Sequence, residues 1–448
     1  MKKAIALALA GAMSVGLLAG CGGGSSSSAA ASSEAASSEA ASSEASAEST
    51  GGSLTMSWWG GDSRHAAYQE AVAAFTEETG IEVATSYGAW SGWEEAKSTA
   101  LAAKQGEDVM QVNWNWLYQY SGQGQSFVDL NQYSDIIDLS QFPESALEAC
   151  TVAGELQAIP VAMTGRTFFW NKNTFDQAGV ALPTTYDELI AAGKAFQEKL
   201  GDDYYPLCLG PYDRMIVMTF WLESNYGKDW VTDNTCNYTV DEIVEGLNFI
   251  KSLEDNHVIP TMEAYYGAGF DSIDKSQQWI EGKYAGIWEW DSSANKYYDA
   301  MADNSGFTVG QEIKWGDKKN GGFAKVSMGL AITESCKDPE SAAKLINFLL
   351  NSEKGASIMG TECGMVCSKA GQAAAEAAGK VKPLVKEAND IVMNFVDCAF
   401  DPNYESSKLK GSDGVYTDVF DGFSYGDYDA QEAAEILLEG VTDVLNAA

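Results

Sequence analysis

The segment Leu54–Trp58, with the sequence LTMSW, is the first of three predicted strands that decide the fold class. A helix is predicted to begin after it, near Asp62 or Ser63, and to bury a small apolar face. The next strands are predicted over Ile81–Thr85 and Asp108–Val112, with a second helix between them. Strands that alternate with helices at this spacing predict a parallel sheet, and therefore an α/β protein.

Four later helices are predicted from the residues that precede them. In each case a Thr or Asp that can cap a helix stands before an apolar run of helical period. These signals concern structure and carry no information about a ligand. They are Thr185 with Glu188, Thr239 with Glu242, Asp338 with Pro339, and Asp429 with Glu432.

Tryptophans cluster where the first three predicted strands end. In open parallel sheets, ligands bind outside the carboxyl ends of the strands. Flat rings cover the apolar face of a sugar, while Asp, Asn and Arg side chains hydrogen-bond its hydroxyls. Core packing is the alternative for any single tryptophan, but three clusters at three strand ends favour a sugar site. The clusters are Trp58 with Trp59, Trp90 with Trp93, and Trp114 with Trp116.

The first 21 residues predict a bacterial lipoprotein signal. Lys2 and Lys3 precede an apolar run that is shorter than the roughly 20 residues of a membrane span. The run ends in Leu18–Cys21 (LAGC), which resembles the lipobox, in which the cysteine is lipidated and becomes the new N-terminus. We expect residues 1–20 to be removed and Cys21 to anchor the chain to the extracellular face of a bacterial cell membrane. An ordinary signal peptide with a chance cysteine is the alternative.

Residues 21–52 are predicted to form a disordered tether. After Cys21 they are almost entirely Ser, Ala, Gly and Glu, and the sequence AASSE occurs three times over residues 30–44. Without aromatic residues, Leu, Ile or Val, this segment cannot bury enough apolar surface to fold. A flexible chain of this length would hold the folded part roughly 30 Å from its anchor. A helical stalk is the alternative, and the Ser and Gly content disfavours it.

Length and charge limit the architecture and the partners expected for the remaining chain. Residues 53–448 are 396 residues, more than one hydrophobic core usually supports, so two lobes are expected. The formal charge is −36, and without Lys2 and Lys3 it becomes −38, from 26 basic against 64 acidic residues. Such a surface repels nucleic acid and anionic lipid headgroups, so we expect no nucleic-acid partner.

The cysteines and histidines predict neither a disulfide framework nor a metal site. Seven cysteines besides Cys21 are scattered and odd in number, and we expect most of them to be buried. Only His65 and His257 are available as histidine ligands, so a zinc site is not expected. We therefore expect no metal and no cofactor.

Four further segments carry a resemblance to a known family. The decisive one is Leu156–Lys172 (LQAIPVAMTGRTFFWNK), in which a strand is followed by a crossing segment and an aromatic-Asn-Lys triplet. Gly179–Leu189 (GVALPTTYDEL) is similar to the pattern G-(hydrophobic)-P-T-W-(D/E)-E-L, with Tyr where Trp is usual. Gly282–Trp288 and Gly321–Thr333 resemble a G-K-(V/A)-A-M strand and a G-G return crossing. In this order, with the lipobox, they resemble bacterial extracellular solute-binding proteins, most closely the carbohydrate-binding family that includes maltose-binding protein.

The resemblance implies a two-lobed α/β fold of the periplasmic-binding-protein type (class II, the maltose-binding-protein type) with a hinge between the lobes. The first lobe would comprise residues 53–163 and 321–368, and the second residues 164–320 and 369–448. A mono- or oligosaccharide, most of all an oligosaccharide, would bind in the cleft. A monomer would deliver it to the transmembrane permease subunits of an ABC importer, and the chain would not be an enzyme.

Ligand-binding residues are carried over only where the positions match the family. We expect the tryptophans and the tyrosine to stack on sugar rings, and the Asp and Asn side chains to hydrogen-bond hydroxyls. The predicted set is Trp59, Asp62, Arg64, Asn113, Asn115, Trp116, Thr164, Arg166, Tyr212, Trp288, Trp290 and Asp291.

The arginines suggest an acidic ligand. Only three of the 28 basic residues are arginine, namely Arg64, Arg166 and Arg214, and all three are expected in or near the cleft. A guanidinium offers a rigid fork of donors that suits a carboxylate or vicinal hydroxyls. One hypothesis is therefore a ligand with a carboxylate, such as a uronic acid. The alternative, which the acidic composition favours, is that these arginines neutralise buried acidic residues.

Three other functional classes stay open on the sequence alone. A secreted carbohydrate-active enzyme could use Glu289 with Asp291, or Glu94 with Glu95, as a carboxylate pair. A surface glycan adhesin is supported only by the long tether. A binding protein for a non-sugar solute is the third, because the resembled family contains such members. HExxH, GxSxG and phosphate-loop patterns are all missing from the sequence.

Overall fold

The computed structural model describes residues 53–90, 92–270 and 272–447. The signal segment, Cys21 and the tether, all predicted from the sequence, lie outside these residues. In the described part, the strands are β1 (Ser53–Trp59), β2 (Glu82–Gly88), β3 (Val109–Val112), β4 (Thr151–Val152), β5 (Glu155–Leu156), β6 (Ile159–Asn171), β7 (Val231–Thr232), β8 (Thr235–Cys236), β9 (Gly286–Trp290), β10 (Phe307–Val309) and β11 (Ala324–Ile332).

Helices surround these strands. They are α1 (Asp62–Thr79), α2 (Trp93–Ala102), α3 (Trp114–Ser121), α4 (Glu144–Ala149), α5 (Lys172–Ala178), α6 (Tyr186–Leu200), α7 (Pro211–Tyr226), α8 (Val240–Asp255), α9 (Met262–Gly267), α10 (Gln277–Ile280), α11 (Ala294–Ala300), α12 (Pro339–Asn351), α13 (Glu353–Met359), α14 (Lys369–Ala377), α15 (Pro383–Phe395), α16 (Ser407–Lys410), α17 (Val415–Tyr425) and α18 (Ala430–Ala447).

The opening strands pair as predicted. β1 lies between β2 and β3 and is parallel to both, with Met56 opposite Thr85 of β2 and Val109 of β3. β11 continues the sheet antiparallel to β3, and β6 follows antiparallel to β11. The order β2-β1-β3-β11-β6 therefore combines a parallel βαβαβ unit with two strands that arrive from later in the chain.

The long strand β6 belongs to two sheets. Its first half pairs with β11, up to Gly165 opposite Ala324. From Arg166 onward it pairs with β9, and near its end also with β10. The apolar packing changes along the same strand, because Val161 packs in one cluster of buried residues and Phe168 in another. This strand therefore crosses from one lobe to the other, as the sequence predicted.

The buried clusters follow the two lobes. One is built from residues 54–161 and 326–363. Two others are built from residues 168–323 together with residues 365–445. The residue limits of each lobe proposed from the sequence stay a prediction.

The return crossing begins at a pair of glycines. Gly321 and Gly322 have φ angles of 80° and 89°, a left-handed conformation that favours glycine. A Cβ at Gly322 would also come within 2.1 Å of the Phe220 ring. The two glycines thus let β11 enter the first sheet directly beside α7.

The predicted helix starts are confirmed. The side chain of Thr185 accepts a hydrogen bond from the Glu188 amide, and Thr239 with Glu242 forms a complete capping box. Asp338 caps α12, which begins with a proline, and Asp429 accepts from the amides at the start of α18. Within the described residues, no helix has both the length and the apolar character needed to cross a bilayer.

The seven cysteines of the described chain are all free thiols. Three are buried and four are half-buried, so the prediction that most are buried is only partly met. Among the described residues, no group of three or more His, Cys, Asp or Glu side chains is arranged to hold a metal ion.

Candidate ligand-binding cleft

Three tryptophans form one wall, here called the aromatic wall: Trp59 at the end of β1, Trp90 in the loop after β2, and Trp116 in α3. The ring centroids of Trp59 lie 5.1 Å from Trp90 and 5.6 Å from Trp116, and Trp90 stacks on Trp116 at 6.2 Å. They converge because the carboxyl ends of parallel β1, β2 and β3 meet at one edge of the sheet. Trp90 is 40% exposed, whereas Trp116 is buried.

Polar atoms behind these rings lack partners. Among the described residues, Asn115 Oδ1 and Gln111 Oε1 are buried without a hydrogen bond, and Trp116 Nε1 lies near the Glu94 carboxylate but makes no hydrogen bond of normal geometry. The nitrogen of the same Asn115 amide has a partner, because Nδ2 donates to the Glu405 carbonyl at 3.1 Å. Buried polar groups are nearly always paired in folded proteins. This wall therefore contains donors and acceptors that hydroxyl groups could satisfy.

The opposite wall, here called the basic wall, combines three cations with two rings: Arg166 (β6), Lys325 (β11), Lys410 (α16), Tyr212 (α7) and Trp290 (β9). The Arg166 guanidinium lies 4.6 Å from the Trp290 ring centroid and 5.7 Å from that of Tyr212. Lys325 Nζ lies 4.5 Å from the Trp290 ring. Such cation–π contacts hold the rings and the cations in one cluster.

Arg166 is tied into the second lobe by acidic partners. Its Nη1 donates to Asp213 at 2.8 Å and to the Trp288 carbonyl at 2.7 Å, and it pairs with Glu289 at 3.1 Å. Its Nε is buried without a partner. One donor of this guanidinium is therefore still available.

Glu405 lies at the centre of the basic wall, in a 3₁₀ turn over Pro402–Glu405. Its carboxylate accepts from Lys325 Nζ at 2.5 Å, from Tyr212 Oη at 3.0 Å and from Trp114 Nε1 at 3.2 Å. Burial alone would raise the pKa of Glu405, but Lys325 and Lys410 outweigh it and lower the pKa to about 2. The carboxylate is therefore ionised at any physiological pH.

The same arrangement disfavours the charged form of Lys325. Its pKa is lowered to about 8, mainly by burial, with Glu405 opposing the shift and the cations Lys410 and Arg166 adding to it. Burying an ammonium group is costly unless it is paired, so Glu405 is needed to keep Lys325 charged near neutral pH.

The two walls approach each other at Lys410. Its Nζ lies 5.5 Å from the Trp90 ring of the aromatic wall and 6.0 Å from the Tyr212 ring of the basic wall. The rings of the two walls thus line one cleft, with cations along one side.

Trp288 corrects the sequence-based placement. It was expected beside Trp290 in the cleft, but it is fully buried in the core of the second lobe. Its ring packs edge-on against Phe220 at 4.7 Å, and its Nε1 donates to Glu312 at 3.4 Å. Trp288 and Trp290 share one face of β9, because side chains two positions apart on a strand point the same way. The physical reason for their different burial is position along the strand, since Trp290 is its last residue and is only half-buried.

Thr164 and Asp291 lie together at the crossing rather than among the rings. The Thr164 hydroxyl donates to Asp291, and Asn389 of α15 donates to Asp291 at 2.5 Å and to the Met163 carbonyl at 3.1 Å. Burial raises the pKa of Asp291 to about 6. This cluster joins three segments of chain, which makes it a hinge contact.

The remaining predicted residues border the aromatic wall. Arg64 donates to the Trp59 carbonyl at 3.3 Å and to the Glu362 carbonyl at 3.0 Å. Asp62 is exposed at the first position of α1, and Asn113 is a buried residue at the N-cap of α3.

The arginines separate into different roles. Arg214 is buried in the second lobe, where it pairs with Glu254 and donates to the Pro260 carbonyl at 2.6 Å. For Arg214 the expected position near the cleft is wrong, and the alternative of neutralising a buried acid holds. Arg166 also pairs with acids, but it does so beside the rings of the basic wall.

One of the two carboxylate pairs considered for an enzyme, Glu289 with Asp291, is already engaged. Glu289 pairs with Arg166 and accepts from Tyr297 Oη at 2.9 Å, while Asp291 accepts from Thr164 and Asn389. Asp291 also begins a 3₁₀ turn instead of continuing β9. The two residues therefore do not share a strand face.

Sequence reasoning missed four residues of the cleft: Trp90 as a ligand-binding residue, and Lys325, Glu405 and Lys410 altogether. Lys325 had a detectable signal, because it is a lone charged residue in the otherwise apolar β11. Glu405 and Lys410 lie in a short irregular segment among many other charged residues, and their pattern has no comparable signal.

Comparison with known proteins identifies the family and the fold. Residues 61–356 match the family described as bacterial extracellular solute-binding protein. The structure of a periplasmic oligogalacturonide-binding protein from Yersinia enterocolitica, in complex with saturated digalacturonic acid, is 32% identical, with a TM-score of 0.84. A periplasmic solute-binding protein from Pectobacterium atrosepticum is 33% identical, with a TM-score of 0.83. Both comparisons cover 88% of this chain and 99% of the other, which confirms the predicted two-lobed fold.

A curated relative is more distant. An arabinooligosaccharide-binding protein from Halalkalibacterium halodurans is 26% identical over 244 residues, 48% of each chain. The chain spans about half the length of the curated relatives it matches. Because the family match itself spans well over half of this sequence, the chain belongs to the bacterial extracellular solute-binding protein family.

Proposed function

We propose that this protein captures an oligosaccharide in the cleft between its lobes and delivers it to the permease subunits of an ABC importer. Membership of the extracellular solute-binding family supports the delivery role. The lipobox at Leu18–Cys21 supports attachment of a monomer to the outer face of the membrane through a lipid on Cys21. The lobes are proposed to comprise residues 53–163 with 321–368, and 164–320 with 369–448.

The observation that carries the proposal is the aromatic wall with its unpartnered polar atoms. The indole Nε1 of Trp116 and the Asn115 Oδ1 are buried beside a stack of rings, one of which is exposed. Rings that cover the face of a pyranose, with a buried donor and acceptor beside them, suit a hydroxyl-rich ligand. Of the predicted set, we retain Trp59, Asn115, Trp116, Arg166, Tyr212 and Trp290 as ligand-binding residues, with Arg64, Asp62 and Asn113 at the margin.

We further propose that the oligosaccharide carries a carboxylate. Arg166, Lys325 and Lys410 gather in one cleft, although acidic residues outnumber basic ones by 64 to 28 in the chain. The related protein from Yersinia enterocolitica, which is 32% identical, binds oligogalacturonide. Cations beside aromatic rings suit a uronic acid, whose ring stacks while its carboxylate pairs.

A ligand panel tests both proposals. The mature protein would be heated with di- and trigalacturonic acid, neutral galactose and arabinose oligosaccharides, and a polyamine, because a ligand that binds only the folded state raises the melting temperature. We expect the largest rise with the galacturonic acids. A rise only with the polyamine would overturn sugar capture, and a rise only with neutral sugars would overturn the carboxylate.

We also propose that the protein releases its ligand unchanged. Glu289 and Asp291 are both held by other side chains, which leaves neither free as an acid or a nucleophile. Chromatography of the sugars after prolonged incubation with the protein should recover them at full length. Shortened products that vanish in a Glu289→Gln variant would instead support a glycosidase.

A further inference from the structure

We propose that Lys410 is the residue that recognises the carboxylate of an acidic sugar, and that Glu405 holds its ammonium group in position before binding. This inference rests on the proposed function and assigns its specificity to one side chain.

The three cations of the basic wall differ in how firmly they are held. Lys325 and Arg166 have side chains that are 6% and 2% exposed, and each has an ionic contact of 2.8 Å or less. The Lys410 side chain is 13% exposed, and its contact with Glu405 is 3.7 Å, beyond a hydrogen bond. Lys410 is therefore the most accessible and the least constrained cation of the wall.

The position of Lys410 matches the geometry of a uronic acid. Its Nζ lies between Trp90 of the aromatic wall and Tyr212 of the basic wall, 5.5 and 6.0 Å from their ring centroids. A sugar ring that stacks on either aromatic ring would bring a carboxylate on its edge towards this ammonium group. A charge-assisted hydrogen bond is roughly twice as strong as a neutral one.

Glu405 can release Lys410 at little cost. Its carboxylate keeps Lys325, Tyr212 and Trp114 as partners when Lys410 turns away, so it does not become an unpaired buried charge. Exchange of a 3.7 Å contact for a direct pair with the ligand would then favour binding.

The backbone beneath Lys410 is fixed, whereas its ammonium group makes no hydrogen bond to the described residues. Tyr404 and Leu409 are both buried in the core of the second lobe. The Lys410 amide donates to the Ser406 carbonyl at 2.9 Å, within the short helix α16. Recognition would therefore need a change of rotamer only.

A matched pair of variants tests the proposal. Lys410→Met and Lys408→Met each remove one positive charge from α16, but Lys408 is exposed and outside the cleft. Calorimetry would measure the affinity of each for digalacturonic acid and for the neutral galactose disaccharide. We expect Lys410→Met to weaken binding of the acid at least tenfold and of the neutral sugar less than twofold. Lys408→Met should change neither, and Lys410→Arg should keep the preference for the acid.

The outcomes separate this inference from the proposed function. Equal weakening of both sugars by Lys410→Met would show a merely structural role and overturn the inference, and so would an unchanged affinity for the acid. A wild-type protein that binds only neutral sugars would also overturn it while leaving sugar capture intact. If the wild type binds neither sugar, the proposed function is wrong, and the inference that rests on it is wrong as well. Should Lys410→Met unfold, loss of the acid preference in Lys410→Gln would support the inference, and its retention would overturn it.

Discussion

The two walls of the cleft differ in how their buried polar and charged groups are paired. On the aromatic wall, Asn115 Oδ1 is buried without a partner, and Trp116 Nε1 lies near Glu94 without a hydrogen bond of normal geometry. On the basic wall, Arg166 and Lys325 are each matched by carboxylates that belong to the protein. A buried neutral polar group that stays unpaired until a ligand binds costs only modest free energy, whereas an unpaired buried charge costs far more. The first wall is therefore built to be completed by a ligand, whereas on the second wall Arg166 and Lys325 are already paired and only Lys410 lacks a close partner.

The same contrast distinguishes two buried tryptophans. Trp116 follows a predicted strand and Trp288 lies on one, and both lack exposed surface. Trp288 satisfies its Nε1 with Glu312 and packs on Phe220, so it belongs to the core behind the basic wall. Trp116 leaves its Nε1 unpartnered and packs on the exposed Trp90. Burial alone therefore does not separate a core residue from a cleft residue, and neither does an unpartnered Nε1, since the core residue Trp170 has one as well. The distinguishing feature of Trp116 is its contact with the exposed Trp90 ring.

Truncation of Trp288 should give the largest effect. Trp288→Ala removes a large side chain from a packed core, and we expect the free energy of unfolding to fall by about 3–5 kcal/mol. Chemical denaturation measures this, with Trp288→Phe as the milder control. Ligand affinity of the folded fraction should change little. A large loss of affinity with unchanged stability would instead show that Trp288 is a ligand-binding residue.

The pH dependence of the same core should give an intermediate effect. Burial raises the pKa of Glu312 to about 8, above its unfolded value, so the native state holds this proton more tightly. The associated stability is fully present below about pH 4.5 and is lost as the pH rises through about 8. Glu312→Gln fixes the neutral form, and its advantage over the wild type should grow by about 2–3 kcal/mol between pH 5 and pH 8.

Chemical denaturation of both proteins at the two pH values measures this difference. Glu340→Gln, an exposed carboxylate on α12, serves as the control and should show no such growth. An advantage of Glu312→Gln that is equal at pH 5 and pH 8 would contradict the prediction.

Truncation of Trp90 should give the smallest effect on stability but a clear effect on binding. Its ring is 40% exposed, so we expect Trp90→Ala to lower the free energy of unfolding by about 1 kcal/mol or less. Loss of a stacking surface should weaken oligosaccharide binding about tenfold, or about 1.4 kcal/mol. Calorimetry measures it, with Tyr425→Ala as an exposed aromatic control. Unchanged affinity would show that Trp90 does not contact the ligand.

Much of the fold could be predicted because its signals are local. The βαβαβ start and the helix caps at Thr185 and Thr239 depend on residues a few positions apart, and the structure confirms them. The crossing strand β6 was found through its resemblance to a family pattern. The aromatic wall followed from one rule, because parallel strands present their carboxyl ends at one edge.

The basic wall could not be predicted in the same way. Glu405 and Lys410 reach the cleft from a turn and a four-residue helix near the end of the chain, where no periodicity marks them. Arg214 looked like Arg166 in the sequence, yet it pairs with Glu254 inside the second lobe. Charged residues are common on any surface, so their function depends on which distant partner folding brings to them.

The sequence alone determined the α/β class, the two lobes, the crossing strand and an edge rich in tryptophan, since these follow from periodicity, composition and motif order. Only the tertiary structure decided that Trp288 is a core residue, that Trp116 packs on Trp59 and Trp90, and that Lys325, Lys410 and Glu405 form one ionic cluster. The physical reason is range. Helices and strands are specified by neighbours in the chain, whereas burial and charge pairing also depend on distant residues, such as Lys325 and Glu405, which are 80 positions apart.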